Sequence, residues 1–130
     1  MNDDAFARPA LQSLQPDDDD YAALLALAGG PLVAEFGPDA RIEVERLDRL
    51  GNWSFLLGRM RAAEGGPLPL EGTRYAERAA QGGMSDVYAV LLKRESGGAW
   101  KVVDHAIGPG DVAWLAWPPK HGAPAALFGF

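Results

Sequence analysis

The stretch Ala99–Trp117, AWKVVDHAIGPGDVAWLAW, decides the fold. Its first half, to Ile107, reads as a strand. Gly108-Pro109-Gly110 then turns the chain sharply. Asp111 stands where a helix cap belongs, ahead of a short aromatic helix running to about Trp117, and Pro118-Pro119 closes that helix. Three of the four tryptophans and one of the two histidines lie here.

Upstream, Ser96-Gly97-Gly98 is a hairpin turn, and Ser85–Glu95 with its core VYAVLL is a nearly continuous apolar strand, central in a sheet or covered on both faces. Thr73–Gln81 gathers helix formers behind Thr73, with Glu77 near the first turn and Gly82-Gly83 as the stop. Ala62–Gly72 is rich in Gly and Pro and reads as a loop. Arg41–Leu47 alternates, Ile42 and Val44 against Glu43 and Glu45, and Asn52–Met60 sets Trp53, Phe55 and Leu57 on one face. The short turn Leu50-Gly51-Asn52 between them predicts a hairpin.

Tyr21, Leu24, Leu25, Ala28, Leu32 and Phe36 fall on one helical face. Pro31 inside that run either kinks the helix or begins a second piece. Met1–Pro16 shows no period and reads as an irregular arm, and residues 17–130 form one domain. Acids at Asp17–Asp20 suit a helix start. The tail GAPAALFGF is apolar and packs back on the body. The expected fold class is α+β: an N-terminal helix on a curved four-stranded antiparallel sheet, with short second and C-terminal helices.

The chain has 130 residues, 48% of them hydrophobic and 23% charged, the balance of one globular domain. Eighteen acids against twelve bases give a net charge of −6. That balance speaks against nucleic acid and against an anionic membrane, both of which call for a basic face. Only short basic clusters occur, at Arg59–Arg61 and Lys93–Arg94. With no cysteine, disulfides, thiolate nucleophiles and cysteine-zinc sites are excluded. The first residues, MNDDAFARPALQS, lack the pattern of a secretion signal, so the chain as given reads as cytoplasmic, or as periplasmic or secreted if a leader has been removed.

The stretches GNWSFLLGR, DVYAVLLKR, WKVVDHAIGPGDVAW and HGAPAALF together resemble a family of small uncharacterised bacterial proteins. Those proteins share a W-x-F strand, an ALL-R strand and a C-terminal W-x-V…IG-x-x-D-V-x-W…G-x-P motif. The resemblance covers roughly Asp18–Phe128, and the layout, an N-terminal helix held by a four-stranded sheet, looks like the cystatin-like or NTF2-like shape. The resemblance implies no activity. Many members look exported, a feature this chain does not show.

Several motifs invite chemistry. GPGDVA, Gly108–Ala113, matches the dinucleotide pattern between a strand and a helix. Seventeen residues follow it, too few for a helix, a parallel strand and its ribose-binding acid. The plainer reading is a tight turn, with Gly108, Pro109, Gly110 and Asp111 structural. Asp104 and His105 are neighbours on a strand and face opposite ways. Strict alternation puts Trp100, Val102, Asp104 and Ala106 on one face and Lys101, Val103, His105 and Ile107 on the other. Asp104 is then either a base inside the cone between helix and sheet, with His105 a weaker candidate, or a strand-end carboxylate bonded to backbone or to an arginine such as Arg59.

His105 and His121 share no ligand spacing with a nearby acid, and Asp17–Asp20 lacks the spacing and glycine of a calcium loop, so no metal and no cofactor is expected. No serine sits in a nucleophile turn. Trp114 and Trp117, three apart, share a helix face and with Phe128 and Phe130 form either an exposed binding patch or a seal on the sheet. Three functional expectations follow. The first is a non-enzymatic binding or accessory module for a protein or small molecule. The second is an NTF2-like enzyme or carrier using Asp104, and the third a homodimer through the open sheet face.

Overall fold

The computed structural model describes residues 11–96, 98–110 and 112–130. Five strands lie in chain order, each antiparallel to the next: β1 (Gln12–Ser13), β2 (Arg41–Leu50), β3 (Trp53–Arg61), β4 (Val87–Arg94) and β5 (Trp100–Ile107). The fold is α+β, with one strand more than the four expected. The extra strand lies in the segment read as an irregular arm. Gln12 and Ser13 pair with Arg49 and Asp48, and the Leu14 amide donates to the Leu47 carbonyl at 2.8 Å. A two-residue strand is too short to show a period in sequence. Residues 1–10 of that arm lie outside the described residues.

The long amphipathic run is two helices, α1 (Tyr21–Ala28) and α2 (Gly30–Phe36). Pro31 sits in the first turn of α2, where its missing amide leaves no bond unmade, so the chain restarts rather than kinks. Leu24, Ala28 and Leu32 keep one buried face across the break and pack on Leu47, Leu56, Met60, Tyr88, Val90 and Leu92 of the sheet. Tyr88 runs through this core and donates its hydroxyl to the Ala28 carbonyl at 2.6 Å, and burial pushes its phenol up. The helix–sheet interface is a filled core. A short helix α3 (Ala76–Ala80), narrower than the Thr73–Gln81 expected, follows the loop that sends Leu68 and Tyr75 against the same core, and Met84 joins them from the segment after it.

The second face of the sheet is covered as well. The chain after β5 forms a 3-10 turn (Ala113–Ala116), helix α4 (Trp117–His121) and a second 3-10 turn (Ala125–Phe128). This strap lays Trp117, Ala123, Leu127 and Phe128 on Phe55, Ala89 and Leu91. Pro118 and Pro119, expected to end a helix, occupy the first turn of α4 instead. Asp111, expected as the cap, lies outside the described residues, and Val112 precedes the 3-10 turn. The open face proposed for a homodimer is therefore occupied by the chain's own C-terminal segment.

Two bulges break strict alternation. In β2 the pairing steps from Val44–Gly58 to Arg46–Leu57, leaving Glu45 as the extra residue. In β5 it steps from Leu92–Val102 to Leu91–Asp104, leaving Val103 extra. Each bulge moves all residues beyond it to the other side of the sheet relative to a regular strand. Gly58 opposes the first bulge, where a Cβ would stand 2.6 Å from the Glu43 carbonyl oxygen.

Candidate functional site

The β5 bulge relocates Asp104. Trp100, Val102 and Ile107 pack on the helix side, while Val103 and Ala106 pack under the strap. Asp104 pairs with Leu91, a strap-side residue, so it does not enter a cone between helix and sheet as strict alternation would have it. Nor does it meet Arg59. Its carboxylate accepts from the His105 backbone amide at 2.8 Å and from Lys120 Nζ at 3.2 Å, and His121 Nε2 lies 2.7 Å from Oδ2. Partial burial pushes the Asp104 carboxyl up, but the hydrogen bonds from His121, Lys120 and the His105 amide prevail and hold it below the usual carboxylate range. A general base at neutral pH needs a shift in the other direction.

What the sequence did not show is the pairing of His121 with Asp104. His121 stands 17 positions from Asp104 and reaches it only because the strap folds back over β5. The imidazole of His105, on the opposite face, is exposed. The Asp104–His121 pair orients an imidazole, while Ser54 donates to the Asp48 carbonyl at 2.8 Å and Ser85 to the Pro109 carbonyl at 2.6 Å. Among the described residues no three His, Asp or Glu side chains gather as a metal site.

Of the GPGDVA segment, Gly108–Gly110 bend the chain at the end of β5, and the sheet is antiparallel throughout the described residues. Gly108 adopts φ +57°, and a Cβ there would stand 2.8 Å from the Ser85 carbonyl oxygen. Its own carbonyl accepts from Arg78 at 2.7 Å, which ties α3 to the end of β5. Of the four aromatics read as a patch or a seal, Trp117 and Phe128 are buried on the strap side of the sheet, while Phe130 is 53% exposed. Trp117 is 4% exposed, edge-on to Phe55 and Phe128, and Trp114 is half-buried against Phe55 with centroids 5.9 Å apart.

The Arg59–Arg61 cluster is neutralised. Arg59 pairs with Asp86 at 2.5 Å and Glu45 at 3.4 Å, and Arg61 with Asp86 at 2.8 Å and Glu43 at 3.5 Å. Hydrogen bonds from Arg61, and then from Arg59, lower the Asp86 carboxyl. The Lys93–Arg94 cluster behaves differently. Sheet register places Leu50, Trp53, Lys93 and Lys101 in one row across four strands. Lys93 Nζ sits 5.0 Å from the Trp53 ring centroid. Behind that row, Arg49 and Arg94 flank Trp100 at 5.4 Å and 4.9 Å. The buried Trp100 indole N–H has no partner among the described residues.

Trp53 also lines an open groove of about 610 Å³ with Leu11, Leu50, Gly51, Asn52, Pro124 and Ala126. Three separate parts of the chain build it: the end of the arm, the β2–β3 turn and the strap. The acceptors of its polar rim are engaged. The Gly51 carbonyl accepts from Arg49, and the Asn52 carbonyl and Oδ1 accept from Arg94. What remains is a tryptophan wall and aliphatic sides, with the Lys93 ammonium over the ring of that same tryptophan. In sequence, Trp53 was visible only as a strand residue and Lys93 only as half of a short basic cluster.

Comparison with protein-family models, curated proteins and solved structures gives no match for this chain.

Proposed function

We propose that this protein is a non-enzymatic binding module whose ligand site is the Trp53 groove. The observation that carries the reading is the assembly of an apolar groove from three distant segments around one partly exposed tryptophan. Concave apolar surfaces with a few placed polar groups are the usual form of small-ligand sites. Of the two surfaces first expected to bind, the free sheet face is covered and Trp117 of the aromatic C-terminal helix is buried against the sheet. A helix pair laid on one face of an antiparallel sheet supports the cystatin-like or NTF2-like likeness as part of this reading.

A neutral apolar dye tests it. Nile red fluorescence should rise on mixing with the protein. Trp53→Ala, which removes the wall, and Ala126→Trp, which fills the groove, should both abolish that rise while circular dichroism stays unchanged. Equal dye binding by all three proteins would place the ligand elsewhere and overturn the proposal.

A further inference from the structure

Resting on the groove reading, we infer that the ligand class is a small amphipathic carboxylate, an aliphatic or aromatic tail ending in an anion. The argument is charge complementarity: a cation stands over the tryptophan that lines an otherwise apolar groove. The chain carries net charge −6, and its cations are mostly answered by acids. Arg46 meets Asp48, Arg49 meets Asp20, Arg59 and Arg61 meet Asp86, Arg74 meets Glu35, and Lys120 meets Asp104. Lys93 has no carboxylate partner among the described residues. It is held over the ring of Trp53, the same ring that lines the groove. Lys101 stands directly across from it on β5, with Glu95 at a loose 3.9 Å. Cross-strand partners of like charge repel one another, and an anion bound at Lys93 would relieve that repulsion.

The interior of the groove selects the rest of the ligand. Leu11, Leu50, Trp53, Pro124 and Ala126 offer contact area, while the carbonyls of Gly51 and Asn52 are already engaged. A peptide backbone laid there would leave its amides without acceptors, which costs free energy. A hydrocarbon or aromatic tail makes no such demand. Tail in the groove and carboxylate on Lys93 satisfies both halves of the site.

Octanoate, octanol and octylammonium share one tail and differ in head charge. Each is titrated into the full-length ¹⁵N-labelled protein at low salt, reading the Trp53 indole and the Leu50–Asn52 amides. Octanoate should bind about fivefold to tenfold tighter than octanol, with octylammonium weakest. Lys93→Gln should bring octanoate down to the level of octanol, and 0.5 M salt should shrink the difference in the same direction. Octanol binding as tightly as octanoate in the unaltered protein overturns the anion inference and leaves the groove reading standing. No shift at these residues with any of the three overturns both. A short peptide with an apolar C-terminal residue that shifts them where octanoate does not overturns the choice of a small carboxylate.

Discussion

Asp104 Oδ2 and His121 Nε2 stand 2.7 Å apart, joining β5 to the strap that covers it. The far end of the strap is fastened too: Arg46 donates to the Leu127 carbonyl at 2.8 Å and stacks on Phe55. The covering segment is thus pinned at both borders of the sheet. Asp104→Asn keeps the shape and removes the charge, and should cost about 1–2 kcal/mol of global stability. Amide exchange should quicken in Ala123–Phe128 first, with α1 still protected. Uniform loss of protection in α1 and the strap would show that the pin does not act locally.

Acid should undo the same pin. The Asp104 carboxyl is lowered in the folded protein from a usual value of 3.8, as is Asp86. The unfolded chain therefore binds more protons as pH drops through that range, and the contribution present above 3.8 fades below it. Denaturant midpoints should fall from pH 5 to pH 2, and the fall should be shallower in Asp104→Asn. Parallel profiles for the two proteins would remove Asp104 from the acid response.

The β5 bulge should be intolerant of deletion. Without Val103, either Trp100 and Val102 or Asp104 and Ala106 must change sides of the sheet. Deleting Val103 should cost about 3 kcal/mol or more, whereas Val103→Ala should cost about 1–2 kcal/mol, since only packing is lost. Comparable urea midpoints for the two variants would deny the bulge its role.

Two glycines should respond in opposite ways. At Gly58 a methyl group meets the backbone of Glu43 at 2.6 Å, while at Gly30 nothing lies within 4 Å and φ is ordinary. Gly58→Ala should destabilise by about 1–3 kcal/mol through overpacking. Gly30→Ala should be neutral or stabilise by about 0.4–1 kcal/mol through the unfolded chain. Thermal melts of the pair read both signs.

Trp117 and Leu115 divide the strap into packed and free sides. Trp117→Ala should cost about 3–5 kcal/mol. Leu115, 62% exposed, should accept serine within about 0.5 kcal/mol. A mild Trp117→Ala would return that residue to the surface patch the sequence allowed.

Sequence carried the main strands because their periods are long and regular: Trp53, Phe55 and Leu57 do share a face, and VYAVLL is central. Pro31 left two outcomes, and packing of Leu24 and Leu32 on one sheet face selects the restart. The site was less legible. Alternation misplaced Asp104 because a bulge leaves no mark in a run such as Val102-Val103-Asp104, where either valine can face a core. His121 and the Trp53 groove depend on where the strap lands, which is set by the fit of Phe128 and Trp117 on Phe55, not by any local pattern.

Both bulges place their extra residue on a border strand, Glu45 on β2 and Val103 on β5. Among the described residues β1 meets β2 at Asp48 and Arg49, with Leu14 reaching Leu47, so much of each border has no described neighbouring strand. A second molecule approaching either border meets a ladder whose donors and acceptors are out of step, flanked by the exposed side chains of Glu43 and Glu45 or Lys101 and His105. Ladders interrupted in this way are poor templates for edge-to-edge growth. The irregularities that hid the site from a strict period also guard this sheet against fibre formation.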